Sequence, residues 1–331
     1  MALSELFETS VLNKSIHRLW CFKVSLYVSL VRRGKADLQT VDDPGELVDR
    51  HRTVEGNHRN TGDGISFSQI KAVSGCGERV RRKYIEGDRR PYGSLPLSKG
   101  SAVHSGIETD LRSRMQSGSA LSLDDLTDVA NQTLEEKVNA APHADLDQDP
   151  DLEDSRKKVR GMLEGYQTYV APTIGEVIGV EEKLNGSLQF GNEEYPLFGY
   201  IDAITVNSET GEIEIRDWKT SGSKVNAETQ AMSLQWDVYS FLAQQNGYDT
   251  ETVRIDTLRW LKTKGPQHDF QILKRGPAHH ERLARVVAKV SDMYALGAFI
   301  PDPFNWLCHP NRCEYWVDCP YRLPDSPEVQ E

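Results

Sequence analysis

Asp202, Asp217 and Lys219 are the residues whose types and spacing could do chemistry. They fall within residues 196–220, which read as two strands joined by a polar turn, Ser208-Glu209-Thr210-Gly211. Phe198, Tyr200, Ile204 and Val206 alternate along the first strand, and Ile213 and Ile215 along the second. If Asn207 faces Glu212, Val206 falls opposite Ile213 and Ile204 opposite Ile215. The same register sets Asp202 across from Asp217, with Lys219 next on that face. Two directly opposed carboxylates repel each other. A divalent cation removes the repulsion, since magnesium takes carboxylate oxygens at about 2.0–2.1 Å. Lys219 could then hold or polarise a water on that ion. The alternative is a pair of acids at the frayed, solvated end of a hairpin.

Other residues could serve such a site. His104 lies beside the apolar helical stripe Val103, Ile107 and Leu111, as a ligand or as a packed core histidine. Gln235 and Tyr239 are four apart and project from one helix face. They could hold a phosphate or nucleobase, or form a half-buried hydrogen-bonded pair. Glu181 and Glu182 end a strand and read equally as a metal ligand or as edge charges. Arg79, Arg81, Arg82 and Lys83, followed by Arg89 and Arg90, outnumber Glu86 and Asp88. They form a candidate phosphate-contacting patch, or else a solvated helix face.

Three of the 5 cysteines, Cys308, Cys313 and Cys319, fall in one turn-rich aromatic segment. That grouping suggests a metal or cluster in a reducing compartment, and His309 leaves zinc open. Cys76 lies at a helix end between Gly75 and Gly77, where backbone can approach closely.

The positioning elements follow in order. A helix opens near Ser66, with Ser68 as its expected N-cap, and a short basic helix follows Cys76. Helices are expected over 100–115, from Ser122 with Asp125 closing a capping box, and over 152–166. A strand over 176–184 leads to the hairpin. A helix from about 227 to 246, strands over 253–261 and 268–273, and a helix over 281–296 complete the pattern. Helices alternating with strands imply an α/β fold, a central mixed sheet flanked by helices, with a helical insertion over about 118–172.

With 331 residues, 38% hydrophobic and 27% charged, the composition suits a soluble chain with a core. The net charge of −11 argues against coating DNA through bulk charge, and leaves room for a local basic groove. The apolar run over 24–31 is too short to span a membrane. Residues 1–63 read as an N-terminal extension with a polar linker, and 323–331 as a tail.

Taken together, these pieces resemble the RecB-like branch of the PD-(D/E)XK nuclease superfamily. The likeness is strongest to CRISPR-associated exonucleases with an iron–sulfur cluster, their phage relatives and the AddB-type nuclease domain. It rests on SFSQIKAVSGC, KGSAVHSGIE, FGYID, RDWKT, QWDVY and the terminal cysteines, spread in order over 66–319. The resemblance implies a restriction-endonuclease-like core over 64–322 with a cluster segment over 300–322. It implies that His104, Asp202, Asp217 and the Trp218 carbonyl bind Mg²⁺ or Mn²⁺, and that Lys219 orients the attacking water. Gln235 and Tyr239 match the supporting motif. Cys76, Cys308, Cys313 and Cys319 match the ligands of a 4Fe-4S cluster, with Zn²⁺ as the alternative. The four residues between Cys308 and Cys313 exceed the two common in the CRISPR-associated members. The implied partners are DNA with single strands or free ends, and recombination or CRISPR adaptation proteins, with no membrane. The implied setting is the cytoplasm of a prokaryote or phage-infected cell. A non-catalytic module that retains the fold is the other reading, and the intact Asp202, Asp217 and Lys219 set speaks against it.

Overall fold

The computed structural model describes residues 64–91, 93–140 and 152–322. The expected extension over 1–63, most of the acidic stretch before Leu152, and the tail over 323–331 lie outside the described residues. Strand β1 (Ile65–Ser66) leads into helix α1 (Phe67–Val73), and α2 (Gly77–Val80) runs on into a π-turn over Arg81–Ile85. Helices α3 (Leu95–Ser117), α4 (Leu123–Ala140) and α5 (Leu152–Gly165) precede β2 (Ile174–Phe190). Next come β3 (Glu193–Asn207), β4 (Ile213–Thr220), α6 (Ala227–Ala231) and α7 (Leu234–Gln245). Strands β5 (Thr252–Leu261) and β6 (Gly265–Lys274) and helix α8 (Pro277–Leu296) end the regular structure before the cysteine segment.

The expected mixed sheet flanked by helices is present. β2 and β4 pair antiparallel with β3, β1 pairs parallel with β3, β4 and β5 are parallel, and β6 closes the edge antiparallel. The β3–β4 register is the expected one, with Val206 opposite Ile213 and Ile204 opposite Ile215. The Asn207 N–H meets the Glu212 carbonyl at 2.8 Å, and Asn207 Oδ1 accepts from Glu209 and Thr210, which tightens the turn.

Some local expectations shift. Ser66, and not Ser68, caps α1, because Gln69 three residues on completes a capping box with it. The Ser122 and Asp125 box at α4 forms as expected. The strand expected over 176–184 continues to Phe190, so β2 and β3 make one long hairpin turning at Gly191. The helix expected over 227–246 divides in two, because Ser233 starts a new N-cap for α7.

Two cores sandwich the sheet. One gathers Leu184, Leu197, Ile201, Ile204 and Ile215 under α7 and α8. The other packs α3, α4 and α5 on Val180, Ala203 and Trp218. Val103, Ile107 and Leu111 of α3 are fully buried there, each worth about 1.5–3 kcal/mol of burial. The helices expected as an insertion, α4 and α5, therefore pack together with α3 on the part of the sheet that carries Val180, Ala203 and Trp218. Phe198, Tyr200, Ile204 and Val206 do not share a face as the alternation suggested. Odd residues Leu197 and Ile201 face α7, and so does even Ile204, whereas Ala203 faces α3. The hairpin changes its alternation between Ile201 and Ile204. On β2 the kink falls at Glu181, whose φ of 51° is the one positive value at a non-glycine among the described residues. Register sets Glu181 beside Asp202, between the Val180–Ala203 and Glu182–Ile201 pairs.

Candidate metal centre

Asp217 sits at the middle of β4 and is 1% exposed. Lys219, two residues on, sets its Nζ 2.6 Å from Asp217 Oδ2. The Gln235 amide donates to Asp217 Oδ1 at 3.1 Å and to the Tyr239 hydroxyl at 3.0 Å. The face shared by Gln235 and Tyr239 thus points at the second acid. Burial pushes Asp217 up to about 7, with Lys219 pulling against it and Asp202 adding to it. Burial also raises the Tyr239 phenol, helped by the nearby acids, which keeps it neutral.

Trp218 buries its indole against Tyr166 and offers its backbone to the site. Its N–H donates to Asp202 Oδ2 at 3.1 Å, and its carbonyl lies 2.8 Å from His104 Nε2. His104 Nδ1 is 3.4 Å from Asp202 Oδ2. Residues 104, 202, 217, 218, 219, 235 and 239 therefore converge from α3, β3, β4 and α7.

Glu181 joins them. His104, Glu181 and Asp202 each bring a ligand atom within 4.8 Å of the others. Burial first, then Asp202 and Glu108, push Glu181 up to about 7. Sequence alone does not choose between Glu181 and Glu182, because a strand that stops at Leu184 gives no register to pair Glu181 with Asp202. Glu182 turns its side chain toward Gly179 instead.

The donors fit a hard divalent cation. Ligands sharing an octahedral ion with bonds of about 2.0–2.1 Å lie about 3–4 Å apart, so a small closure suffices. Three carboxylates face one ammonium, an excess that a dication balances. The imidazole favours Mn²⁺ over Mg²⁺ in such a set.

Cys76 lies just after α1, and Cys308, Cys313 and Cys319 lie in the segment after α8. Cys76 caps α2, and the Asp302 N–H points at its sulfur at 3.5 Å. Gly77 N–H bonds the Ile300 carbonyl at 2.9 Å, and a Cβ on Gly77 would lie 2.4 Å from Ile300 N. Only glycine lets the two backbones approach this closely. Cys308 lies within electrostatic reach of Cys76 and Cys319, and Cys313 within reach of Cys319. Burial pushes the Cys308 and Cys313 thiols up. All four are free thiols. They share one neighbourhood and an all-soft donor set, as a four-thiolate site requires.

The basic patch has a different neighbourhood from the one its sequence suggests. Arg79 pairs with Glu314 at 2.8 Å, and Arg82 with Glu78 at 2.7 Å and Asp318 at 3.0 Å. Arg81 pairs with Glu78 and Glu86. Arg82 and Arg90 both sit over the Tyr315 ring. Arg79, Arg82 and Arg90 thereby tie the cysteine segment to the stretch that starts at α2, whereas Arg81 pairs locally. Lys83 remains exposed, its Nζ 5.5 Å over the Tyr84 ring.

A sequence model described as the PD-(D/E)XK nuclease superfamily matches residues 64–322. The chain belongs to that superfamily. It is a nuclease, a hydrolase of DNA phosphodiester bonds, and its mixed sheet flanked by helices is the restriction-endonuclease-like core. Two solved structures are similar to it. SSO0001 shares 15% identity over 84% of this chain and 96% of its own, with a TM-score of 0.40. A candidate exonuclease from Eubacterium rectale shares 12% identity over 88% of this chain and 96% of its own, with a TM-score of 0.46. Among curated proteins nothing matches the chain. No described helix is long and apolar enough to cross a membrane.

Proposed function

We propose that this nuclease is a metal-dependent exonuclease acting on single-stranded DNA, with an iron–sulfur cluster bound by its cysteines. The observation that carries the active-site assignment is the meeting of His104, Glu181 and Asp202 beside the buried Asp217–Lys219 pair. His104, Asp202, Asp217 and the Trp218 carbonyl hold Mn²⁺ or Mg²⁺, with Glu181 beside them. The ion, when bound, offsets phosphate charge and lowers the pKa of a bound water. Lys219 orients that water and stabilises charge as it develops. Gln235 and Tyr239 fix the Asp217 carboxylate in one orientation. Cys76, Cys308, Cys313 and Cys319 hold a 4Fe-4S cluster, or Zn²⁺ in its place, and staple the start of the domain to its end. Lys83 and Arg89 are exposed members of the basic patch, within reach of a phosphate. The setting is cytoplasmic, in recombination, repair or CRISPR adaptation, with proteins of those processes as partners.

Anaerobically purified protein should degrade end-labelled single strands with Mn²⁺ and stop in EDTA. Duplex should react more slowly, and single-stranded circles should survive. Cleavage of circles as fast as linear strands would overturn the exonuclease assignment.

A further inference from the structure

The kink at Glu181 and Asp202 leaves one sheet face open right beside the metal centre. Gly199 looks into the α7 core, where an added Cβ would meet Leu242 at 3.0 Å. Its neighbours Phe198 and Tyr200 therefore face the other way, on the side from which His104 reaches Asp202. Asp202, Tyr200 and Phe198 follow one another at every second residue of β3. Strand rise sets Tyr200 about 6.5 Å from Asp202 and Phe198 about 13 Å away. Tyr200 is 52% exposed and Phe198 half-buried. Their rings meet edge to face, with centroids 6.4 Å apart and planes at 85°, so Phe198 props the Tyr200 ring. Lys183 is the register partner of Tyr200, and its Nζ lies 5.5 Å over the Phe198 ring.

We propose that Tyr200, propped by Phe198 and flanked by the Lys183 ammonium, stacks an unpaired base of the nucleic-acid strand that enters the metal centre. The inference rests on the nuclease reading and names the part of the substrate that the site selects. An exposed ring beside the reacting phosphate takes a base face only where bases are not already stacked in a duplex. The nearby ammonium complements the phosphate that the same nucleotide carries. Exposed Glu193 and Glu194 at the hairpin turn repel a phosphate backbone, which confines the strip to the half nearest the metal. Tyr200 is a binding residue and takes no part in the chemistry.

The test uses the full chain in EDTA, so that nothing is cleaved. Fluorescence anisotropy compares labelled oligothymidylate with an abasic phosphodiester of the same length. Wild type should prefer the oligothymidylate by about 5- to 150-fold, the range that alanine substitution finds per stacked base. Tyr200→Ala should erase that preference, and Tyr200→Trp should keep it. Thermal melting and Mn²⁺ affinity should match wild type in both variants. An undiminished preference in Tyr200→Ala, or none in wild type, overturns the proposal. Cleavage of the oligothymidylate by wild type with Mn²⁺ reads the nuclease assignment separately. Its absence would remove that assignment and leave the stacking result standing on the binding data.

Discussion

Lys219 Nζ lies 2.6 Å from Asp217 Oδ2, inside a wall where the Asp217 side chain is 1% exposed and that of Lys219 34%. The ammonium neutralises the carboxylate from one side and keeps access to solvent on the other. A carboxylate buried this deeply without a partner would be costly. The pair thus explains how Asp217 persists in the metal-free protein, and why its lysine is free to meet a water when Asp217 serves as a ligand.

Asp217→Ala should abolish cleavage and leave the fold intact, because Lys219 can turn into solvent. Lys219→Ala should lower turnover by about 10²–10³-fold, the usual loss of a charge-stabilising group, and keep Mn²⁺ binding at pH 8. Cleavage rates, Mn²⁺ titrations and thermal melts on both variants check this. Wild-type turnover in Asp217→Ala would remove Asp217 from the site.

Gln235→Leu should cost about 1–3 kcal/mol of stability, because Asp217 Oδ1 and the Tyr239 hydroxyl both lose their amide donor in a buried place. Urea denaturation measures it. Tyr239→Phe should cost less, since the amide still reaches Asp217. Equal losses in the two variants would contradict the arrangement.

The hairpin register was legible because Val206, Ile204, Ile213 and Ile215 alternate around one short turn, and local periodicity carries that information. That Gln235 and Tyr239 share one helix face was legible from their spacing, which left open whether they hold a ligand or each other; they are hydrogen-bonded at 3.0 Å. Glu181 was not, because its partner depends on where β2 ends, and no residue near Leu184 signals that the strand runs on to Phe190. Nor was the facing of Phe198 and Tyr200, since a positive φ at a glutamate breaks the period of two without any glycine to announce it. The basic stretch misled for another reason. Part of its neutralisation is local, through Glu78 and Glu86, but Glu314 and Asp318 lie 235 and 236 residues from Arg79 and Arg82, beyond any local count of charge.

Metal affinity should fall as pH falls. Glu181 and Asp217 are each pushed up to about 7, so below that pH both carry protons that a cation must displace. Mn²⁺ affinity should therefore rise from pH 6 to 8 and level off above, with proton release visible by calorimetry in buffers of different ionisation heat. The metal-free protein should show the opposite trend in stability. Its folded-state values exceed those of the unfolded chain, so it gains stability as pH drops from about 7 toward the ordinary carboxylate range. Glu181→Gln should shrink both effects. A pH-independent affinity between 6 and 8 would refute the assignment of these acids.

Arg82→Ala should destabilise the cysteine segment. It strips one of two arginines from Glu78, which is 2% exposed, and one of two from Asp318, which Arg90 still holds at 2.6 Å. A loss of about 1–3 kcal/mol is expected, since Arg81 still holds Glu78. Limited proteolysis should cut within 300–322 faster than in wild type. Lys83→Ala should leave proteolysis unchanged and reduce the salt slope of DNA binding by about one. Identical behaviour of the two variants would erase the distinction between clamp and contact.

The last prediction concerns the thiols. Cys76 meets the Asp302 N–H, and Gly77 locks its backbone to Ile300. Cys308, Cys313 and Cys319 come from the segment that follows. A hydrogen bond to sulfur favours the thiolate and tunes a cluster held by it. Protein purified without oxygen should be brown, with about four irons if the cluster is 4Fe-4S. Cys76→Ser should bleach it and lower the melting temperature, because the join between the start of the domain and the segment after α8 then rests on the non-cysteine contacts of Gly77, Arg79, Arg82, Arg90 and Tyr315. Cys21→Ser, at a position outside the described residues, should change neither. Zinc in place of iron would leave the protein colourless, and metal analysis would show one zinc per chain. Full colour and iron content in Cys76→Ser would show that the fourth ligand lies elsewhere.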